Sequence, residues 1–401
     1  MNIKRDSLIN EDNIYMENAK FLIIFMYIKF LIYPLKFAVN SDSFINAISG
    51  MVTVAIGLYL LNINKFKISN KFIIFILSIL LLFMLNIFLV DYKSIVTTEM
   101  LNFIIYNIII IYIISQGINF KHSLNIWYKI AIYTTIVSPI YMIMVSNKMS
   151  SYMFYGIYMS YSFCIILLYY IKTNKKINLP LLMYILVSTM IYGNRSAVLT
   201  MIMSIIIFNL LFQEKYTKKV IFIILISLLS IFAVIYQDQL ISETIRFLTQ
   251  LDLKTYSINK YLLQLNKGLG SVLSGRDFLY NDGLRMISES KGLPLGIGYF
   301  ENATGIRYPH NFFIDFFIVF GIYGGIILLS SILISSIKTF INFDKYGKQF
   351  MILIFIVSSV RLMFSSTFIV ERNFWIIISL LVFAYQNIRI NKIKDSDEKY
   401  E

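Results

Sequence analysis

A chain of 401 residues that is 58% hydrophobic and only 14% charged is not a soluble domain, in which about a quarter of residues carry charge. The formal net charge is +14, but the cations cluster between long apolar runs, which argues for a polytopic membrane protein and against a nucleic-acid partner. With Cys164 as its single cysteine, the chain can form no intramolecular disulfide.

A helical span needs roughly 20 mostly apolar residues, and about twelve such segments can be drawn in order. They lie near 19–36, 44–63, 72–90, 100–116, 126–145, 152–171, 178–192, 196–212, 219–236, 311–337, 350–369 and 373–390. Helices are the expected form because open sheet edges leave backbone groups unsatisfied in lipid. The first 18 residues mix Lys4 and Arg5 with Asp6, Glu11, Asp12 and Glu17, and lead into a retained anchor rather than a cleaved leader.

Lysine and arginine set the expected orientation. Lys65, Lys67 and Lys71, then Lys172, Lys175 and Lys176, then Lys215, Lys218 and Lys219 fall on one side of this layout. Lys338, Lys345 and Lys348 join them, with Arg389, Lys392, Lys394 and Lys399 in the tail. The opposite short loops hold only Lys36, Lys93, Lys148, Arg195 and Arg372. By the positive-inside rule both termini are cytoplasmic. The chain then divides into helices one to nine (1–236), a large extracytoplasmic loop (237–310), and the last three helices with a short tail (311–401).

That loop is too long to lack structure. Leu240, Ile241, Thr244, Ile245, Leu248 and Leu251 recur at helical spacing, as in an amphipathic helix on the membrane surface. Ser274-x-x-Asp277 reads as a capping box that starts a second helix, ending at Gly292 before Pro294. Gly292, Gly296, Gly298 and Gly305 then mark a turn-rich approach to His310.

Several residues on this side could carry chemistry. Arg195 follows Gly193-Asn194 in a tight break, either snorkelling to the interface or clamping an anion beside a helix start. Arg276 stands at the start of a helix, where a cation opposes the dipole. Arg285 has Asp282 at i−3 and Glu289 at i+4, which favours a surface salt bridge; on one helix it points away from Arg276. Arg307 lies three residues before His310, the better placed of two histidines, since His122 falls in a cytoplasmic loop. Asp315 lies one turn into the tenth span, where a carboxylate needs a partner; it shares a face with Asn311 and could orient His310 or pair with Arg361 of the eleventh span.

Three passages resemble the family of O-antigen ligases and O-unit or capsular repeat-unit polymerases. Gly193-Asn194-Arg195-Ser196-Ala197 is similar to its Ser-Arg-Ser/Gly-Ala signature. Ser274-Gly275-Arg276, followed by Pro294-Leu295-Gly296-Ile297-Gly298-Tyr299, resembles its arginine and Pro-Leu-x-Gly-x-Gly pattern. His310-Asn311, nine residues, then Gly321-x-x-Gly324 resembles the ligase motif, and Arg285 to Gly296 fits an Arg-x10-Gly spacing. Many relatives carry an acid where this chain has Val319; Asp315 supplies one a turn earlier.

The resemblance implies metal-independent, inverting glycosyl transfer at the outer face of the bacterial cytoplasmic membrane, from a glycan linked to undecaprenyl pyrophosphate. No cofactor is implied, and the outward loops show no Asp-x-Asp or His/Cys metal cluster. Arg195 and Arg276 would hold the pyrophosphate, and His310 would accept or position the acceptor proton. Arg285, Arg307, Asn311, Asp315 and Arg361 are the candidate substrate-binding residues. The acceptor would be a second lipid-linked unit (polymerase) or lipid A core (ligase), with a flippase and a chain-length regulator as pathway partners. Among transporters, a lipid-linked glycan flippase is the competing class, but carriers show repeated halves and none is visible here.

Overall fold

The computed structural model describes residues 2–32, 42–145, 151–213, 276–364 and 366–397, with isolated positions between 217 and 250. Among the described residues every regular element is a helix. They are α1 (Asn2–Ile32), α2 (Asp42–Ile63), α3 (Asn70–Leu89), α4 (Lys93–Gln116), α5 (Phe120–Val145), α6 (Ser151–Thr173) and α7 (Asn178–Tyr192). There follow α8 (Arg195–Phe212), α9 (Arg276–Glu289), α10 (Tyr299–Thr304), α11 (Phe312–Asn342), α12 (Lys345–Phe364), α13 (Arg372–Val382) and α14 (Ala384–Asp397).

Six of these, α3, α4, α6, α8, α11 and α12, are long and apolar enough to cross a membrane, and α13 with the start of α14 makes a seventh if counted as one broken span. That is fewer than the sequence drew. α7 is apolar but only 15 residues long, and segment 219–236 lies outside the described residues, as do Leu240, Ile241, Thr244, Ile245, Leu248, Leu251 and Ser274. Two boundaries differ instructively. α4 starts at Lys93, not near residue 100, so Glu99 belongs to the helix. The run 373–390 is not one helix: it bends by 77° between α13 and α14.

Contacts divide the chain into two compact units, residues 1–126 with 276–401, and residues 127–275. This partition follows packing, whereas 1–236, 237–310 and 311–401 follow the expected path through a bilayer. In the second unit α6 packs against α7 and α8. Gly156 permits this approach, because a Cβ there would lie 2.9 Å from the Asn194 backbone nitrogen. Tyr128 stacks on Tyr169 at 4.1 Å and donates to Asn178 Oδ1 at 2.7 Å.

In the first unit α4 is buried against α1, α2, α3 and α13. At its C-terminal end Asn387 and Asn391 of α14 donate to the carbonyls of Ile114 and Ile118, and accept from the amides of Ile118 and Phe120. Two carboxamides thereby satisfy backbone groups that a helix end leaves bare. At the other end α9, α10 and the start of α11 gather around Met286, Ile287, Phe300, Ile314 and Ile318. Each such side chain contributes about 1.5–3 kcal/mol on burial.

Candidate functional site

The site is built on a break in α11. Gly321 has φ 71° and ψ 167° inside the helix, a region essentially confined to glycine. The segment after α9 takes the freed backbone groups. Leu295 N donates to Ile318 O, and Ile322 N donates to Gly292 O, both at 2.9 Å. A Cβ at position 321 would lie 2.7 Å from Gly292 O and 2.8 Å from Pro294 N. The strap from Gly292 to Gly298 is therefore seated in the notch of α11. Its far side is fixed by Tyr92, whose hydroxyl donates to Leu295 O at 3.0 Å. As the sequence implied, α9 ends at this strap, with Gly292 left-handed (φ 76°) and its amide donating to Ile287 O.

Between the strap and α11 runs the segment 305–311. Asn311 caps α11, its Oδ1 accepting from Phe313 N at 3.0 Å and Ile314 N at 3.3 Å. The carboxamide proposed for substrate is thus engaged by the helix. His310 just before it is left-handed (φ 56°), an uncommon backbone for a side-chain-bearing residue. Its carbonyl accepts from Tyr280 Oη at 3.3 Å, and Nδ1 lies 3.1 Å from the Phe364 carbonyl oxygen. A carbonyl only accepts, so Nδ1 carries the hydrogen and Nε2 of the neutral ring holds the free lone pair. Burial pushes the His310 pKa below its ordinary value; the Phe364 carbonyl opposes this and the charge of Arg276 adds to it.

Arg276 reaches the same place from α9, its guanidinium 5.8 Å from the centre of the Phe364 ring. Among the described residues no carboxylate pairs with it. Tyr308 packs its ring 4.5 Å from that of His310. Burial raises the Tyr308 hydroxyl's pKa, against the charges of Arg361, Arg307 and Arg276. Three arginines thus act on Tyr308, and one of them, Arg276, acts on His310 as well.

Arg307 is held differently. Its Nε and Nη2 both meet Glu99 Oε1, at 2.8 and 2.7 Å. Asp315 is buried (7% exposed), and its Oδ2 accepts from Thr367 Oγ1 at 2.7 Å. The expected pairing of Asp315 with Arg361 is not formed, nor does Asp315 orient His310, whose Nδ1 is on the Phe364 carbonyl. Arg361 meets Glu371 instead, Nε to Oε2 at 2.8 Å, as a close ion pair without straight hydrogen-bond geometry. The reason is the turn after α12, which brings Thr367 over Asp315 and Glu371 back to Arg361. Phe368 locks that turn by ring contacts with Phe312, Phe316, Phe320 and Phe374, and Trp375 Nε1 donates to Ile369 O at 2.9 Å.

Two further candidates are Arg285 and Arg195. Arg285 is exposed and pairs with Asp282 at 3.0 Å and Glu289 at 3.9 Å, the surface arrangement its spacing predicts. Arg195 opens α8 in the second unit, where Asn194 caps the helix by accepting from Ala197 N at 3.1 Å. Val319 is buried beside Asp315 in one small cleft. Glu99, Tyr308 and Glu371 were not singled out from the sequence. Glu99 could have been, because a carboxylate inside an apolar helix is costly and marks function or a partner, but the drawn span began one residue too late.

No curated protein and no solved structure matches the chain. Among the described residues, six long apolar helices fit a multi-pass membrane protein. The stretch 179–329, which carries Arg195, Arg276, His310 and the Gly321 break, matches the family model described as O-Antigen ligase, and over that part of its length the chain is similar to that family.

Proposed function

We propose that the chain joins lipid-linked oligosaccharide repeat units into O-antigen or capsular polysaccharide, using undecaprenyl pyrophosphate as the leaving group. The observation that carries this reading is the convergence at Phe364. A neutral imidazole with a free Nε2 stands beside an arginine that no carboxylate neutralises among the described residues. The acceptor hydroxyl attacks the anomeric carbon as the bond to the pyrophosphate oxygen breaks. His310 Nε2 takes the hydroxyl proton, and Arg276 stabilises the negative charge that gathers on the departing pyrophosphate. One displacement inverts the anomeric centre and calls for no metal. Arg195 enters through its motif, and Arg195→Lys belongs in the same assay.

In this orientation the His310 turn faces outward and both termini face the cytoplasm. A cysteine replacing the exposed Asn302, in a Cys164→Ser background, then reacts with an impermeant maleimide in intact cells; labelling only after lysis overturns the orientation. The acceptor is tested by the polysaccharide ladder of a deletion strain. Loss of polymer with one core-attached unit remaining supports polymerase. Polymer accumulating on lipid, unattached to core, makes the protein a ligase.

A further inference from the structure

Tyr92, just before α4, holds the strap, and Tyr112, near the other end of that helix, donates to the Lys67 carbonyl at 3.3 Å. Lys67 belongs to the turn between α2 and α3, which holds two consecutive left-handed residues, Lys65 (φ 52°) and Phe66 (φ 54°). Glycine takes this conformation without steric cost, whereas a bulky side chain there is an outlier. The turn is nonetheless fixed. Lys65 N donates to Asn62 O at 2.9 Å and Phe66 N to Leu61 O at 2.7 Å, and the carboxamides of Asn18 and Asn64 bond each other. Phe66 thereby stands 65% exposed between the exposed Lys65 and Lys67. Lys71 lies in the first turn of α3, where a cation opposes the helix dipole, and its ammonium is 5.8 Å from the centre of the Phe383 ring. Past Phe383 the chain bends by 77° into α14. There Tyr385 and Arg389 are exposed, while Asn387, Ile390 and Asn391 on the other face are buried. Among the described residues none of Lys65, Lys67, Lys71 and Arg389 is paired with a carboxylate.

We propose that Lys65-Phe66-Lys67, with Lys71, Tyr385 and Arg389, is a docking surface for anionic phospholipid headgroups in the leaflet at this end of the bundle. Phe66 enters the boundary between headgroups and acyl chains, and the lysines beside it meet the phosphates. Charge and position select this occupant. Four cations without acidic partners flank exposed aromatic rings, the complement of a surface that is negative at the headgroups and apolar beneath. The turn also opens directly into α3, the most apolar of the six spans. Ile73, Ile74 and Leu77 are exposed in its first two turns, so Phe66 and the exposed Ile68 extend a lipid-facing side to the headgroup level. A basic turn that only marked orientation would need neither the ring nor the left-handed backbone, since glycine or asparagine closes such a helix end. The proposal is independent of the glycosyl-transfer reading above.

The test places the purified full chain, as a Phe66→Trp variant, in phosphatidylcholine nanodiscs and reads tryptophan emission. The quencher is phosphatidylglycerol or phosphatidylcholine brominated near the carbonyl end of the acyl chain, at equal mole fraction. Quenching of the parent chain, which holds Trp127 and Trp375, is subtracted. Quenching of the reporter should be about twofold or more stronger from phosphatidylglycerol, whose charge enriches it beside the lysines. Raising the salt to about 1 M, where the screening length is about 3 Å, should equalise the two lipids. So should replacing Lys65, Lys67 and Lys71 by glutamine. Phe66→Gly separates backbone strain from lipid contact. It should leave the thermal midpoint in phosphatidylcholine unchanged or higher, because glycine accepts the left-handed backbone, yet lose part of the gain that phosphatidylglycerol gives the wild type. Equal quenching by the two lipids at low salt, or a preference that survives the triple glutamine variant, overturns the proposal. A reporter quenched by aqueous acrylamide and by neither lipid also overturns it, and assigns the turn to a protein partner.

Discussion

Substituting Gly321 by alanine should unseat the strap from α11 and thereby displace the His310 turn. The backbone at 321 lies in a glycine-only region (φ 71°, ψ 167°), which costs a side-chain-bearing residue about 1–3 kcal/mol. The new Cβ would also lie 2.7 Å from Gly292 O, 2.8 Å from Pro294 N and 3.0 Å from Leu293 C. These neighbours are backbone, so the strap itself must move, and the bonds Leu295 N to Ile318 O and Ile322 N to Gly292 O go with it. At about 1 kcal/mol each, the two bonds bring the expected loss to roughly 3–5 kcal/mol. Gly324 is the internal control, since a Cβ there meets only Phe320 Cβ at 3.8 Å. Gly324→Ala should be neutral or mildly stabilising, as alanine is preferred to glycine within a helix by about 0.5–1 kcal/mol. Hydrogen exchange of the strap amides in the purified protein, with the thermal midpoint alongside, measures both. Wild-type protection in Gly321→Ala, or equal damage from Gly324→Ala, would refute the joint inferred between strap and helix.

His310→Ala should reduce transfer by about 10²–10⁴-fold at normal protein level, and His310→Asn should not rescue it; near-wild-type polymer from either returns His310 to a structural role. Because transfer needs the neutral ring, activity should fall only as pH drops below the ordinary histidine value of about 6.5, and Arg276→Gln, by removing a positive charge, should move that acid limb upward in the residual activity. Arg276→Lys should be severe because the planar fork is lost, whereas Arg285→Lys should be mild, an exposed pair being worth about 0–1 kcal/mol; the reverse order in a complementation assay would exchange their roles. Glu371→Ala should destabilise the fold by about 3 kcal/mol, towards the lower end for a broken buried pair because Arg361 is 31% exposed, and reversing both charges should recover part of it; no change in the thermal midpoint would remove the pair from the account.

By itself the sequence determined the class of protein, a helical chain with several apolar spans. Apolar length is a property of each segment alone, so α3, α4, α6, α8, α11 and α12 were legible as spans. So were local signals such as the end of α9 at Gly292 and the Arg285 pair on its helix face, because they act over one or two turns. Partner choice was not legible. Asp315 and Arg361 are the obvious opposite charges in adjacent spans, yet the turn 366–371, locked by Phe368 and Trp375, delivers Thr367 to one and Glu371 to the other. Glu99 meets Arg307 across 208 residues of chain, and no spacing rule reaches that far. The motif glycine at 321 could be read as a pattern, but its cause, a strap occupying the notch of a broken helix, is a long-range backbone contact. Hydropathy and capping are local energies summed along the chain, whereas the pairing of buried charges is decided by which side chains the packed helices bring within hydrogen-bond reach.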